Sequence, residues 1–235
     1  MLRIAMPIFG LMLVIVTILT VVERRTPVPP SLIVYQVMVK GVWRPYVMAA
    51  DGSNQQPLED YFDIDLPSGE FSELQWSPDR LWLLANYFDG IREDVYRIRL
   101  RDGFMDQLTD NSFNIYPKWS PDGRSIIYSD LSSAANNGVQ RTRTDGHSTT
   151  ILIPPNMNAL EPAPSPDGRW IAFVSVRSGN GGLYRVNRDG LAIEQLFTEE
   201  AFGSVSYNNY VAIAWSPDST LIALSRFESL YILNA

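Results

Sequence analysis

Apolar residues are distributed along this chain in two regimes. From Ile4 to Val22 no charged residue interrupts them, and at about 1.5 Å per residue a helix of that length spans a hydrocarbon core of roughly 30 Å. From Leu32 onward they fall in short runs rich in Val, Ile, Leu, Tyr and Trp, cut at close intervals by Pro, Asp, Gly and Ser. Runs of that length and spacing predict strands joined by turns.

The N-terminal run is longer than the apolar stretch of a secretory signal, roughly 7–15 residues, and Val21-Val22-Glu23-Arg24-Arg25 follows it in place of a small-x-small cleavage site. It therefore reads as a transmembrane or signal-anchor helix over residues 1–23. The Pro-rich stretch over 24–31, with Thr26-Pro27-Val28-Pro29-Pro30, reads as a semi-rigid linker. Arg3 on one side and Arg24 and Arg25 on the other balance the charges that would orient such a span.

Residues 32–235 repeat themselves. Trp76-Ser77-Pro78-Asp79, Trp119-Ser120-Pro121-Asp122, Pro164-Ser165-Pro166-Asp167 and Trp215-Ser216-Pro217-Asp218 each precede a β-rich run, such as Trp170-Ile171-Ala172-Phe173-Val174. Interleaved with them, a second set of strands closes on Asp51-Gly52, Asp102-Gly103, Asp145-Gly146 and Asp189-Gly190, and a further short strand follows each. Pro at the second position of a Ser-Pro-Asp-Gly turn supplies the φ that a type I turn wants, and Asp-Gly between two strands marks a hairpin. Arg80 and Ser219 replace the Gly in two copies, a change the turn is expected to tolerate. Four strands per period of roughly forty residues select an all-β propeller over a sandwich or barrel.

These motifs resemble the TolB-like (WD40-like) β-propeller repeat, most closely in Ser165-Pro166-Asp167-Gly168-Arg169-Trp170-Ile171-Ala172-Phe173 with Gly182-Leu183-Tyr184-Arg185-Val186-Asn187-Arg188-Asp189-Gly190. The Gly-His and Trp-Asp marks of WD repeats are absent. The resemblance implies a propeller domain over 32–235 of about five four-stranded blades. The first and last are expected to be incomplete, three-stranded blades: the chain enters at a second strand and Tyr231 to Ala235 matches the third strand at Tyr184 to Arg188. Similar repeats serve in envelope complexes and beside peptidases, so the resemblance implies fold more firmly than function.

Strand parity divides the domain into two faces. The tight Ser-Pro-Asp-Gly and Asp-Gly turns share one. The other receives the longer loops, where binding on a rigid scaffold usually resides. These loops carry Tyr61, Phe62, Asp63 and Asp65 in the first, Phe113 and Tyr116 in the second, and Glu199, Glu200, Phe202, Tyr207 and Tyr210 in the last. They are the candidate partner-binding residues, an acidic and aromatic rim with Tyr and Phe as anchors. The competing assignment tucks the aromatics between blades and leaves the acids to solvate the surface.

Composition narrows the chemistry. The formal charge is −7 and Lys40 and Lys118 are the only lysines, which argues against nucleic acid. There is no cysteine, and the single histidine, His147, follows a tight turn, so no thiolate or His-based metal site is expected. Gly179-Asn180-Gly181-Gly182 lacks the Lys-Ser/Thr of a phosphate loop and reads as a hairpin. Asp60 to Asp65 does not match a calcium loop, and no Gly-x-Ser-x-Gly elbow occurs. The expectation is a protein without catalytic residues, cofactor or metal. It is expected at the cell membrane with its propeller outside the cytoplasm, periplasmic or extracellular, binding a protein or peptide; a small-molecule or carbohydrate ligand, or a regulatory role beside a peptidase, is the alternative.

Overall fold

The structure is a computed structural model that describes residues 4–5, 32–111, 113–132, 138–145, 148–177, 181–198, 211–226 and 229–235. Its strands assemble into five antiparallel sheets that follow one another in chain order. They fall in two compact units, the described residues of 10–110 in one and those of 111–235 together with Ile4–Ala5 in the other.

Ile4–Ala5 is a two-residue strand, β1. In the first unit, Leu32–Val39 (β2) and Val42–Ala49 (β3) form a hairpin, and Gln56–Pro57 (β4) is its third strand. The hairpin turns on Lys40 and Gly41 at φ 52° and 86°, the left-handed pair that a two-residue turn requires. The short helix Leu58–Phe62 (α1) leads on from β4. The second sheet runs Glu70–Trp76 (β5), Trp82–Phe88 (β6), Glu93–Arg99 (β7) and Met105–Gln107 (β8).

In the other unit, the third sheet comprises Asn114–Trp119 (β9), Ser125–Asp130 (β10), Gly138–Arg143 (β11) and Thr149–Ile153 (β12). After a 3₁₀ turn at Pro155–Met157, the fourth comprises Ala159–Pro164 (β13), Trp170–Ser175 (β14), Gly182–Asn187 (β15) and Ile193–Thr198 (β16). Val211–Trp215 (β17), Leu221–Arg226 (β18) and Ser229–Asn234 (β19) make the fifth. The first sheet has the three strands expected of it. The fifth has a fourth strand, because Ile4 and Ala5 pair with Leu230 and Ser229 along the free edge of β19.

That pairing also departs from the expected N-terminal helix, since Ile4 and Ala5 are extended. The rest of that span lies outside the described residues. Among the described residues no helix is long and apolar enough to cross a membrane.

Side chains on the first and middle strands of the sheets make most of the cores. Phe71, Trp76, Leu83, Ala85 and Ile98 pack with Val47 and Leu58 in the first unit. Ile127, Ile171, Phe173 and Val186 form one cluster of the other, and Ala172, Leu183, Ile222 and Leu224 a second. Each fully buried Leu, Ile or Phe contributes on the order of 1.5–3 kcal/mol. The repeated tryptophans tie neighbouring sheets: the Trp76 indole donates to the Leu32 carbonyl at 3.2 Å, and Trp215 to Ala163 at 2.8 Å.

Three first strands carry a device that alternation does not predict. Pairing slips by a residue in β5, β9 and β13, and Glu73, Tyr116 and Glu161 there adopt φ of 53°, 56° and 52°. Each stands three positions before the Trp or Pro of the turn motif. Pro117 and Pro162 follow two of them; a bulge is where a strand accommodates a residue that cannot donate to the ladder. In β17 the register runs unbroken from Val211 to Trp215.

Candidate functional site

The tight turns are built alike. In each, the Ser hydroxyl bonds the Asp carboxylate, at 2.6 Å for Ser77–Asp79, Ser120–Asp122 and Ser165–Asp167 and 2.5 Å for Ser216–Asp218. The same carboxylate oxygen accepts the backbone N–H two residues on, from Leu81, Arg124, Arg169 and Thr220. The Ser hydroxyl bond is the largest cause holding the carboxyls of Asp122, Asp167 and Asp218 below the usual range. In each of these turns the Ser hydroxyl and one carboxylate oxygen are thus used internally, in closing the sheet.

The opposite end of the first unit is arranged differently. The loop from Leu58 to Gly69 begins with α1, which ends on Asp63 at φ 50° with the Ile64 N–H returning to the Glu59 carbonyl. Leu58 is fully buried. Tyr61 and Phe62 are half-buried, 4.9 Å apart between ring centres, and Phe62 meets Trp76 edge-on at 6.3 Å. Asp60, Asp63 and Asp65 are exposed. The loop is tied down by Arg44 of β3, which donates to the carbonyls of Pro67 and Gly69 at 2.8 and 3.3 Å and to the Glu59 carboxylate at 3.0 Å. The Tyr87 hydroxyl donates to the Ser68 carbonyl at 2.8 Å. The aromatic members of this candidate set thus pack against the core while its acids face solvent.

Of the second candidate group, Phe113 is 60% exposed at φ 61° and its carbonyl accepts the Leu131 N–H, whereas Tyr116 lies within β9 at its bulge, half-buried. Glu199, Glu200, Phe202, Tyr207 and Tyr210 lie outside the described residues, as does His147.

Next to the Arg44 loop the structure forms a pocket that the sequence did not single out. It is a cavity of about 190 Å³ lined by Tyr87, Asp89, Arg92, Asp94, Tyr96 and Gln107, at the β6–β7 hairpin. Asp89 closes that hairpin by accepting the N–H groups of Ile91 and Arg92 at 2.8 Å, which hold its carboxyl low. Asp94 is buried, accepting from Thr109 Oγ1 at 3.2 Å, with Arg92 Nε 3.7 Å away. The Tyr87 and Tyr96 rings meet edge-on at 5.5 Å. Burial, then the charges of Asp94 and Asp89, raises the Tyr96 hydroxyl above its ordinary value. The signal available was Asp89-Gly90 between two aromatic strands, but the inward turn of Asp94 depends on Thr109 from beyond β8. Among the described residues no group of three or more His, Cys, Asp or Glu is placed to hold a metal.

Five antiparallel sheets that follow one another in chain order define an all-β, five-bladed propeller. Comparison with known proteins gives it a place: the fold is that of TolB-like propellers. A putative TolB from Agrobacterium tumefaciens matches with a TM-score of 0.64 at 22% identity, over 87% of this chain and 71% of that one. TolB from Acinetobacter baumannii matches at 0.67 and 16%, over 87% and 51%. A puromycin hydrolase matches at 0.61 and 21%, over 86% of this chain and 35% of its own. Among curated proteins, an uncharacterized protein of Agrobacterium fabrum is 30% identical over 128 residues, 54% of this chain; the aligned segment spans less than half, 43%, of that relative. No protein-family model matches the chain.

Proposed function

We propose that this chain is a non-catalytic propeller, anchored to the cell membrane by its N-terminal segment and held outside the cytoplasm, that binds a protein or peptide through its loop face. The observation that carries the reading is the loop of residues 58–69. Arg44 and Tyr87 fasten its backbone, and Asp60, Asp63 and Asp65 point to solvent from a fixed frame. A preordered acidic loop loses little entropy on binding and selects a basic partner. Similarity to TolB structures supports an envelope setting, and the uncharged run that continues past the Ile4–Ala5 strand to Val22 supports an anchor.

Site-specific photocrosslinking from Asp63 and Phe113 in the full-length chain tests the reading. One defined protein partner captured from both positions, but not from a probe on the turn face at Pro78, is the expected result. Equal capture from Pro78 would overturn the assignment of the face, and saturable carbohydrate binding without any protein adduct would replace the partner by a glycan. A regulatory role beside a peptidase is the second reading, favoured by the likeness to part of a puromycin hydrolase; a hydrolase as the captured partner would select it.

A further inference from the structure

The pocket at the β6–β7 hairpin has a chemistry of its own, and we infer that it is a socket for one basic side chain of a peptide, with Ile91 and Phe88 beside it receiving an adjoining apolar side chain. This inference rests on the loop-face reading above and narrows it to one blade and one residue type.

Size selects a side chain over a free ligand. At about 190 Å³ the cavity is smaller than the roughly 300–1,000 Å³ of small-molecule sites. Charge selects the sign. Two carboxylates, Asp89 and Asp94, line the pocket against one guanidinium, and Arg92 is already committed, with Asp94 on one side and the Asp110 carbonyl accepting from its Nη2 on the other. One negative charge is left over. The walls suit a cation, because Tyr87 and Tyr96 stand at 86° to one another and an ammonium or guanidinium gains from an aromatic face. The Tyr96 hydroxyl, raised further above its ordinary value by burial and then by Asp94 and Asp89, stays neutral at the pocket wall and can accept from a cationic donor. An anion would meet the two carboxylates.

The rim supplies the second contact. Ile91 is 86% exposed at the hairpin tip and Phe88 37% exposed beside it, an apolar ledge on an otherwise acidic protein. The formal charge of −7 steers basic segments toward the surface.

Three synthetic pentapeptides, acetylated and amidated and carrying leucine next to lysine, norleucine or glutamate in a glycine background, test the socket on the full-length chain by fluorescence anisotropy. The lysine peptide is expected to bind about 10-fold more tightly than the norleucine peptide, with the glutamate peptide weakest. Asp89→Asn keeps the oxygen that closes the hairpin and removes the charge; Tyr96→Leu removes an aromatic wall. Each is expected to cut the lysine preference to about 3-fold or less, while Ile91→Ser weakens the lysine and norleucine peptides alike. A thermal melt identifies any variant that fails to fold, and lysine binding by the unaltered chain then decides alone. A preference for glutamate, or no binding of any peptide, overturns the socket. So does a lysine preference that survives Asp89→Asn and Tyr96→Leu but is lost when Asp60, Asp63 and Asp65 are all changed to Asn; in that case the loop-face reading stands without it. The crosslinking experiment decides that broader reading independently.

Discussion

The guanidinium carbon of Arg185 sits 4.1 Å from the centre of the Trp170 ring, and its nitrogens reach the Glu194 carboxylate at 2.6 and 2.8 Å. Three adjacent strands of one blade thus carry an aromatic, a cation and an acid in a row. The second blade repeats the row with Arg97 4.2 Å from the Trp82 ring and bonded to Asp106. Stacking on the ring is expected to outweigh the ion pair, because Glu194 is half exposed and an exposed pair contributes about 0–1 kcal/mol. Arg185→Gln should lower stability by ~1 kcal/mol and Glu194→Gln by ~0.5 kcal/mol or less in urea unfolding. Equal losses would show that the ion pair dominates.

The fourth position of the Ser-Pro-Asp-Gly turn is left-handed in all four copies: Gly123 and Gly168 at φ 69° and 70°, Arg80 and Ser219 at 60° and 62°. Arg80 and Ser219 were expected to be tolerated there. They are present, but in a region that costs a residue with a Cβ roughly 1–2 kcal/mol. Arg80→Gly is therefore expected to stabilise the protein by ~0.5–1 kcal/mol in chemical denaturation. Ser219→Gly should gain less, because the Ser219 hydroxyl accepts the Asp167 N–H at 3.1 Å.

The turn carboxylates make stability depend on acid. Asp122, Asp167 and Asp218 have folded pKa values below their unfolded ones. Their contribution is complete above the unfolded value of about 3.9 and is lost as pH falls through the lower folded values. Urea midpoints measured from pH 7 down to 2.5 should be flat at first and fall below about pH 4. The variant Ser120→Ala with Ser216→Ala should show a shallower fall, since it removes the hydroxyl bonds that are the largest cause of the shifts at Asp122 and Asp218 and leaves the third, at Asp167, in place. An unchanged slope would assign the acid sensitivity elsewhere.

Arg44 positions the acidic loop without facing its outer surface. Arg44→Met keeps the packing against Phe71, whose ring centre lies 5.3 Å from the guanidinium carbon, and removes the donors to Pro67, Gly69 and Glu59. Hydrogen exchange should accelerate across residues 58–69 and leave β6 and β7 protected, with a loss of about 1–3 kcal/mol from unpaired acceptors. Uniform acceleration would mean that Arg44 holds the blade and not the loop.

The strands, their turns and the number of blades were legible because they are local. Trp-Ser-Pro-Asp and Asp-Gly act within a few residues, through a fixed proline φ and hydrogen bonds from Ser and Asp to their own neighbours, and alternation carries the rest. The bulges at Glu73, Tyr116 and Glu161 were not legible, although Pro117 and Pro162 marked two of them. Where pairing slips is settled by the partner strand, and Tyr116 consequently lies inside a strand where a loop was expected. The candidate loop was found from its composition, yet composition could not show that Tyr61 and Phe62 turn inward toward Trp76 while Asp60, Asp63 and Asp65 turn outward. That division follows from Arg44, on the order of twenty residues upstream, which closes the loop from a neighbouring strand. The pocket depended wholly on tertiary structure: Tyr87, Asp94, Tyr96 and Gln107 stand on three strands of one sheet, and only the antiparallel register sets their side chains around one space. Sequence by itself determined the repeat, because each turn specifies its own geometry; the tertiary structure decided which side chains share a site, because contacts across strands depend on register and on partners distant in the chain.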